Sequence, residues 1–332
     1  MVKAIVHYGA PGWEGLQVME MEEQQPQPGQ VKVRLKSAGL NHRDIWVLYR
    51  HQPDAPPIIL GSDGAGIVES VGEGVQNVKP GDEVVINPSL GWPEKSPAPP
   101  EGFEILGLPD HGTFAATVVI PAENVEPKPA YLTWTEAGVL PLAALTAYRA
   151  LVTRAQVTRG QTVLIPGIGS GVATFLLQMA KALGATVYVT SRSLAKREQA
   201  LALGADRVIS TEGDWNSQLN GEKVDVVIES VGRATFQKSL DQLKPGGTLV
   251  IFGATAGDEV DFNLRTFFYG QYNLLGSTMG SAQEFREMLR FVEQHGIRPV
   301  VDKVFPLDDA YHAFKRMDEG EQFGKIAFSI ES

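Results

Sequence analysis

Apolar and polar positions in the first 120 residues follow a short period. VKAIVHY, VKVRLKSA, GAGIVESVG, DEVVI and FAATVVI place apolar side chains at alternate positions or in brief solid runs. That is the spacing of pleated strands. The turn-forming stretches PQPG and KPGD fall between them, where strands would need to reverse. This part of the chain is expected to be mostly β. Residues 88–110, PSLGWPEKSPAPPEGFEILGLPD, hold several Pro and Gly and no period, and read as a long loop.

From about residue 135 the period lengthens. WTEAGVLPLAALTAYRAL is helical in spacing. Strand-like and helix-like stretches then alternate: TVLIP, a helix over 171–183, TVYVT, a helix over 193–203, DRVI, VDVVIES, a helix over 233–242, and GTLVIFG. In the helix from Gly171, Val172, Phe175, Leu176, Met179, Ala180 and Leu183 share one stripe. Gly184 follows, where a helix end favours glycine. Ser193 suits an N-cap, and Ser281 with Glu284 has capping-box spacing ahead of a helix reaching about Gln294. GKIAFSI returns to strand. Such alternation predicts βαβ units and a parallel sheet covered on both faces.

Length and composition narrow the functional classes. The 332 residues suggest about two domains, and 43% hydrophobic content is enough for two cores. A net charge of −10 argues against nucleic acid as a partner, which wants a basic face. No apolar run reaches 18 residues, so no membrane span is expected. MVKAIVHYG lacks the apolar core of a signal peptide. The expectation is a soluble, cytoplasmic protein acting on a small molecule. The chain has no cysteine, which removes disulfides, thiolate metal sites and thiol nucleophiles.

Candidate chemistry begins at PGIGSGVA, residues 166–173. Strand, glycine-rich turn and helix together present bare N–H groups to a pyrophosphate at a helix N-terminus. Gly167, Gly169 and Gly171 let the backbone approach, Ser170 and Val172 complete the turn, and Ala173 permits close packing. Val172 stands where strict GxGxxG spacing has its last glycine, so a plain tight turn is the competing reading. About 20 residues on, where an acid would select the bare ribose of NAD, the chain reads Ser191-Arg192, with Lys196 one turn along. A hydroxyl and two cations suit the 2′-phosphate of NADP(H); a solvated basic loop is the alternative.

The sequence resembles the medium-chain dehydrogenase/reductase superfamily over its whole length. GLNHRD (39–44), LGSDGAGIVESVGEGVQNVKPGDEV (60–84), GTFAATVVIPAENV (112–125), LPLAALTAYRAL (140–151), the glycine loop and GKIAF (324–328) carry the likeness. The resemblance implies an α/β protein with a GroES-like mostly-β catalytic domain and a Rossmann doubly wound parallel-sheet domain that together form a cleft. The first is expected over 1–125, completed by about 282–332, and the second over 126–281. Within the superfamily the chain looks most like the quinone oxidoreductase and enone reductase branch. Zinc-dependent members place their catalytic ligands at positions matching Asn41, Ser62 and Leu142, and a four-cysteine structural lobe where loop 88–110 lies. Asp63 is the one acid left there, so the expectation is no zinc.

A hydride acceptor without a Lewis acid should spread its own charge, as a quinone, enal or enone does. The resemblance makes Asn41 the candidate donor to the carbonyl oxygen; a turn residue bonded to its own backbone is the other reading. Asp44 either acts in catalysis or caps the helix beginning IWVLY. His42 either meets cofactor ribose or relays a proton, or is an exposed histidine beside a turn. Trp46, Tyr49 and Trp92 either line a substrate cleft or pack; the final proton comes from water or Tyr49. By position, Thr146, Ser230, Gly232, Phe252, Gly253, Ala254, Leu275, Gly276 and Ser277 complete the cofactor set. YNLLGSTM (272–279) is expected as an apolar edge strand that pairs with its two-fold mate in a homodimer. An NADPH-dependent, zinc-independent reductase of conjugated carbonyls is the expected function. Its rivals are an alcohol dehydrogenase-type reductase of simple aldehydes and ketones, and a non-catalytic NADPH-binding protein.

Overall fold

A computed structural model describes residues 1–330. They form two compact units: Met1–Ala143 with the chain from Gly280 onward, and Ala144–Met279. The first unit therefore extends past residue 125. Val125–Pro127 pairs with Glu83–Ile86, and the helix Trp134–Val139 packs on the strands Gln30–Leu40 and Asp63–Val71. Both attachments keep 126–143 with the β unit.

The main sheet of that unit runs Val125–Pro127, Glu83–Ile86, Asp63–Val71, Gln30–Leu40, Lys325–Ser329, Val301–Pro306, with Thr117–Pro121 also on Gln30–Leu40. Val31, Val33 and Leu35 of the long strand are fully buried, and the two-residue period of a strand puts all three on one face. A second sheet joins Leu16–Met21, Val2–His7 and Ile58–Ile59. The tail strand enters beside Gln30–Leu40 with Ile326 opposite Leu40. On the other side of that strand Gly39 faces Asp63. These two registers bring residues 41, 63 and 325 to one end of three neighbouring strands. A side chain at Gly39 would lie 2.8 Å from the Gly138 carbonyl oxygen, and one at Gly138 would lie 2.7 Å from Ser37. The two glycines thus let the 134–139 helix cross the strand in backbone contact.

Loop 88–110 is not wholly irregular. Ser89–Leu90 pairs with Glu104–Ile105, and buried Trp92 packs edge-on against Phe103 while its indole N–H donates to Ser96 at 2.8 Å. Trp92 is a packing residue of this lobe.

The second unit is one six-stranded parallel sheet, ordered Arg207–Ser210, Thr186–Ser191, Thr162–Ile165, Val224–Glu229, Leu243–Ile251, Asn273–Gly276. In chain order that is third, second, first, fourth, fifth and sixth, the doubly wound Rossmann arrangement. Its order reverses between the first and fourth strands, where such sheets leave a crevice at the carboxyl ends. The helix Gly171–Ala182 runs back from the first strand with Phe175, Leu176, Met179 and Ala180 buried. No helix among the described residues is long and apolar enough to cross a membrane.

Candidate active site

In the Rossmann unit, the rim at the carboxyl ends of the sheet is built from the loops that follow its strands. Gly167 and Gly169 adopt φ of +72° and +129°, a region that disfavours side chains. A Cβ on Gly167 would lie 2.8 Å from Val231 Cγ2, and one on Gly169 would lie 2.9 Å from Lys196 Cδ. The loop therefore abuts the 230–232 turn on one side and Lys196 on the other. Ser170 caps the helix that starts at Gly171, accepting from the Ala173 N–H at 3.1 Å; Val172 sits in its first turn. Ser191 is buried and accepts from the Ser193 N–H at 3.1 Å, while Arg192 is exposed.

Glu229 organises the next loop. This fully buried carboxylate accepts from the Val231 and Gly232 N–H groups at 2.7 and 3.2 Å, from Thr235 at 2.9 Å and from Ser239 at 2.6 Å. Sequence reasoning named Ser230 and Gly232 but not the carboxylate that shapes their turn; its signal was an acid at the last position of an apolar strand. A Cβ on Gly232 would lie 2.9 Å from Ala254, and one on Gly253 would lie 3.3 Å from the Ser230 carbonyl oxygen. Residues 230–232 and 252–254 thus share one face. Leu275 and Gly276 pair with Val250 and Ile251. Ser277 donates its N–H to the Ile251 carbonyl at 2.8 Å, and its buried hydroxyl has no hydrogen-bond partner among the described residues. Thr146 lies buried in the helix Pro141–Tyr148. Positive-φ glycines without room for a Cβ and an orphan hydroxyl fit a dinucleotide lying along this rim.

In the β unit, Asp63 is the centre. Its Oδ1 accepts the Leu142 N–H at 2.7 Å, and its Oδ2 accepts the Asn41 amide at 2.9 Å and the Lys325 ammonium at 3.1 Å. Lys325 also donates to Asn41 Oδ1 at 2.5 Å and to the Leu40 carbonyl at 2.9 Å. Asp63 is 0% and Lys325 2% exposed. The remaining Asn41 amide hydrogen is aimed at the Gly39 carbonyl, 3.4 Å away. Asn41, expected to present its amide to a carbonyl oxygen, instead spends it on Asp63 and its own turn. Lys325 was missed; its signal was a lysine opening a strand that returns from the far end of the chain.

Helix His42–Arg50 starts at this cluster. Asp44 Oδ2 accepts the Asn41 N–H at 2.8 Å, half of a capping box. The Asp44 carboxyl is fully buried, and that burial pushes its pKa up to about 6 against the pull of Arg43. Its other oxygen has no hydrogen bond among the described residues. Arg43 Nη1 donates to Ser62 Oγ at 2.6 Å and to the Leu106 carbonyl at 2.9 Å. Burial lowers the Arg43 pKa from its usual value. His42, Trp46 and Tyr49 share the exposed face of the helix, His42 and Trp46 with ring centroids 6.2 Å apart. Tyr49, 59% exposed, rests on Gly12. It lies eight residues, roughly 12 Å along the axis, from Asn41, so the structure does not bring these two together.

Comparison with known proteins matches residues 27–130 to the alcohol dehydrogenase GroES-like domain and residues 171–294 to the zinc-binding dehydrogenase domain. A zinc-type alcohol dehydrogenase-like protein of Schizosaccharomyces pombe is 37% identical over 99% of both chains. Among solved structures, one described as an NAD-dependent alcohol dehydrogenase is 37% identical with a TM-score of 0.91, covering 99% of this chain and 100% of that one. A crotonyl-CoA carboxylase/reductase in complex with NADP is 26% identical with a TM-score of 0.88, covering 99% and 94%.

Two of these names refer to zinc, yet the residues at the centre of the β unit offer it few ligand atoms. Leu142 has no ligand atom, Asn41 Oδ1 is held by an ammonium, and Ser62 Oγ accepts from a guanidinium while donating to Leu106. No group of three or more His, Asp or Glu among the described residues is arranged to hold a metal. These residues do not fit a zinc ion, which wants about three His, Cys or carboxylate ligands.

Proposed function

The chain belongs to the medium-chain dehydrogenase/reductase superfamily and is an oxidoreductase of that type, and from that premise we propose that it reduces conjugated carbonyl compounds with NADPH and without zinc. One observation carries the reading: side chains at two positions matching zinc ligands are hydrogen-bonded to cations, Asn41 to Lys325 and Ser62 to Arg43. Bound NADPH supplies hydride and leaves as NADP⁺. An acceptor that delocalises the incoming charge needs only a well-placed donor rather than a metal. The solved NADP complex of a crotonyl-CoA enzyme supports a conjugated acceptor. Asn41 and Asp44 then serve as positioning residues at the start of the 42–50 helix, and the final proton comes from water or from exposed Tyr49.

NADPH is favoured over NADH by Ser191, Arg192 and Lys196, the last lying across Gly169. A solved relative is described as NAD-dependent, so the preference is read with both cofactors. The strand Asn273–Gly276 ends the Rossmann sheet with Leu274 37% exposed; its free edge supports a homodimer through this strand. The test is a screen of quinones, enals, enones, simple ketones and alcohols against both cofactors, with products identified. Reduction of a quinone or enone with NADPH preferred supports the proposal. Turnover confined to simple ketones and alcohols replaces it with an alcohol dehydrogenase, and no turnover with tight NADPH binding replaces it with a binding protein.

A further inference from the structure

Lys325 and Arg43 stand beside neighbouring positions of the β unit, yet only one has donors to spare. An ammonium has three N–H groups, and those of Lys325 meet Leu40, Asn41 and Asp63 at 2% exposure. A guanidinium has five in a rigid fork. Arg43 spends the two on Nη1 on Ser62 and Leu106. Its Nε and Nη2 groups have no protein partner among the described residues and are not sealed from solvent, the side chain being 21% exposed. The nearest carboxylate oxygen, Asp44 Oδ1, is 3.7 Å from Nη1, beyond hydrogen-bond reach. One edge of the guanidinium is therefore clamped and the other is open. A half-buried cation keeps a desolvation cost unless something negative meets it.

We propose that the open Nε/Nη2 edge of Arg43 receives the carbonyl oxygen of the acceptor as negative charge develops on it. The inference rests on the conjugated-carbonyl reading and names the catalytic residue for it. With an enone, hydride from NADPH bonds to the β-carbon and the C=C pair shifts to give an enolate. Arg43 holds the enolate oxygen while the α-carbon takes its proton from water or Tyr49, and NADP⁺ departs. Ser62 keeps the fork aimed, so a side chain at a zinc-ligand position positions the group that replaces the metal's charge. Asn41 and Lys325 are excluded as the electrophile because their donors are already committed inside the protein.

The test uses the full-length protein and the variants Arg43→Gln and Arg43→Lys, with two readouts. In steady state, Arg43→Gln should lower kcat for a quinone or enone by about 100- to 1,000-fold, the scale of one lost oxyanion donor, with NADPH affinity unchanged. Arg43→Lys keeps the charge but not the fork and should fall between. The second readout needs no turnover: para-nitrophenol bound in the presence of NADP⁺ should ionise about one pH unit lower on the wild type, as beside a fixed cation, and not on Arg43→Gln. Wild-type kcat in Arg43→Gln overturns the proposal, as does a bound phenol whose ionisation ignores residue 43. If Arg43→Gln does not fold, wild-type kcat in Arg43→Lys overturns it instead. Absence of any acceptor turnover by the wild type sinks the functional reading, while the phenol titration still decides Arg43.

Discussion

Asp63 and Glu229 are both fully buried carboxylates surrounded by donors, but the donors come from different distances along the chain. Those of Glu229 are neutral and lie within ten residues, at 231, 232, 235 and 239. Those of Asp63 come from residues 41, 142 and 325 and include an ammonium. Glu229 therefore shapes one turn of the Rossmann rim. Asp63 ties together the long central strand, the start of helix Pro141–Tyr148 and the tail strand. A carboxylate with local neutral donors shapes one loop; one with a distant cation controls whether its unit holds together.

The largest expected effect breaks the distant pair. Lys325→Met leaves Asp63 buried beside an amide and one backbone N–H, and should cost about 3–5 kcal/mol, the scale of removing one partner of a buried ion pair. Urea unfolding measures it. Adding Asp63→Asn to Lys325→Met should recover part of the loss, because no lone charge remains. Equal destabilisation by single and double variants would show that the charges do not matter.

Asp44 sharpens the comparison, since it is buried with no full ion pair. Its folded pKa of about 6 lies above the ordinary value of 3.8. The folded chain holds this proton where the unfolded chain has lost it. Stability from this group is present below about pH 4 and is lost as pH rises through 6, by up to about 3 kcal/mol. The stability difference between wild type and Asp44→Asn should therefore change in that window. A difference independent of pH between 4 and 7 would contradict the assignment.

Breaking the local hub should cost less. Glu229→Gln keeps the shape but turns one acceptor into a donor facing other donors. NADPH binding should weaken by about tenfold, the equivalent of roughly 1.4 kcal/mol, with little change in urea midpoint. A titration of nicotinamide fluorescence reads the first and denaturation the second. A large drop in the midpoint would make Glu229 a pillar of the unit rather than of its loop.

What the sequence revealed follows the same division. The Rossmann strands and the glycine loop were legible because strand, turn and helix lie within about twenty residues and repeat with one period. Asn41, Ser62 and Leu142 were read as altered ligand positions from the resemblance alone. Their occupation was not, since Lys325 reaches Asn41 only through the register of Ile326 opposite Leu40, and no local pattern encodes that pairing. Arg43 was passed over because a lone arginine in a helix's first turn reads as a solvated charge. The hairpin inside 88–110 was hidden by two-residue strands too short to show alternation.

Metal content set against turnover tests the central claim most directly. The purified protein, dialysed against a chelator and checked by elemental analysis, should reduce a quinone or enone with NADPH at its untreated rate while holding far less than one zinc per chain. Near-stoichiometric zinc, with activity lost on its removal and regained on its return, would contradict the account.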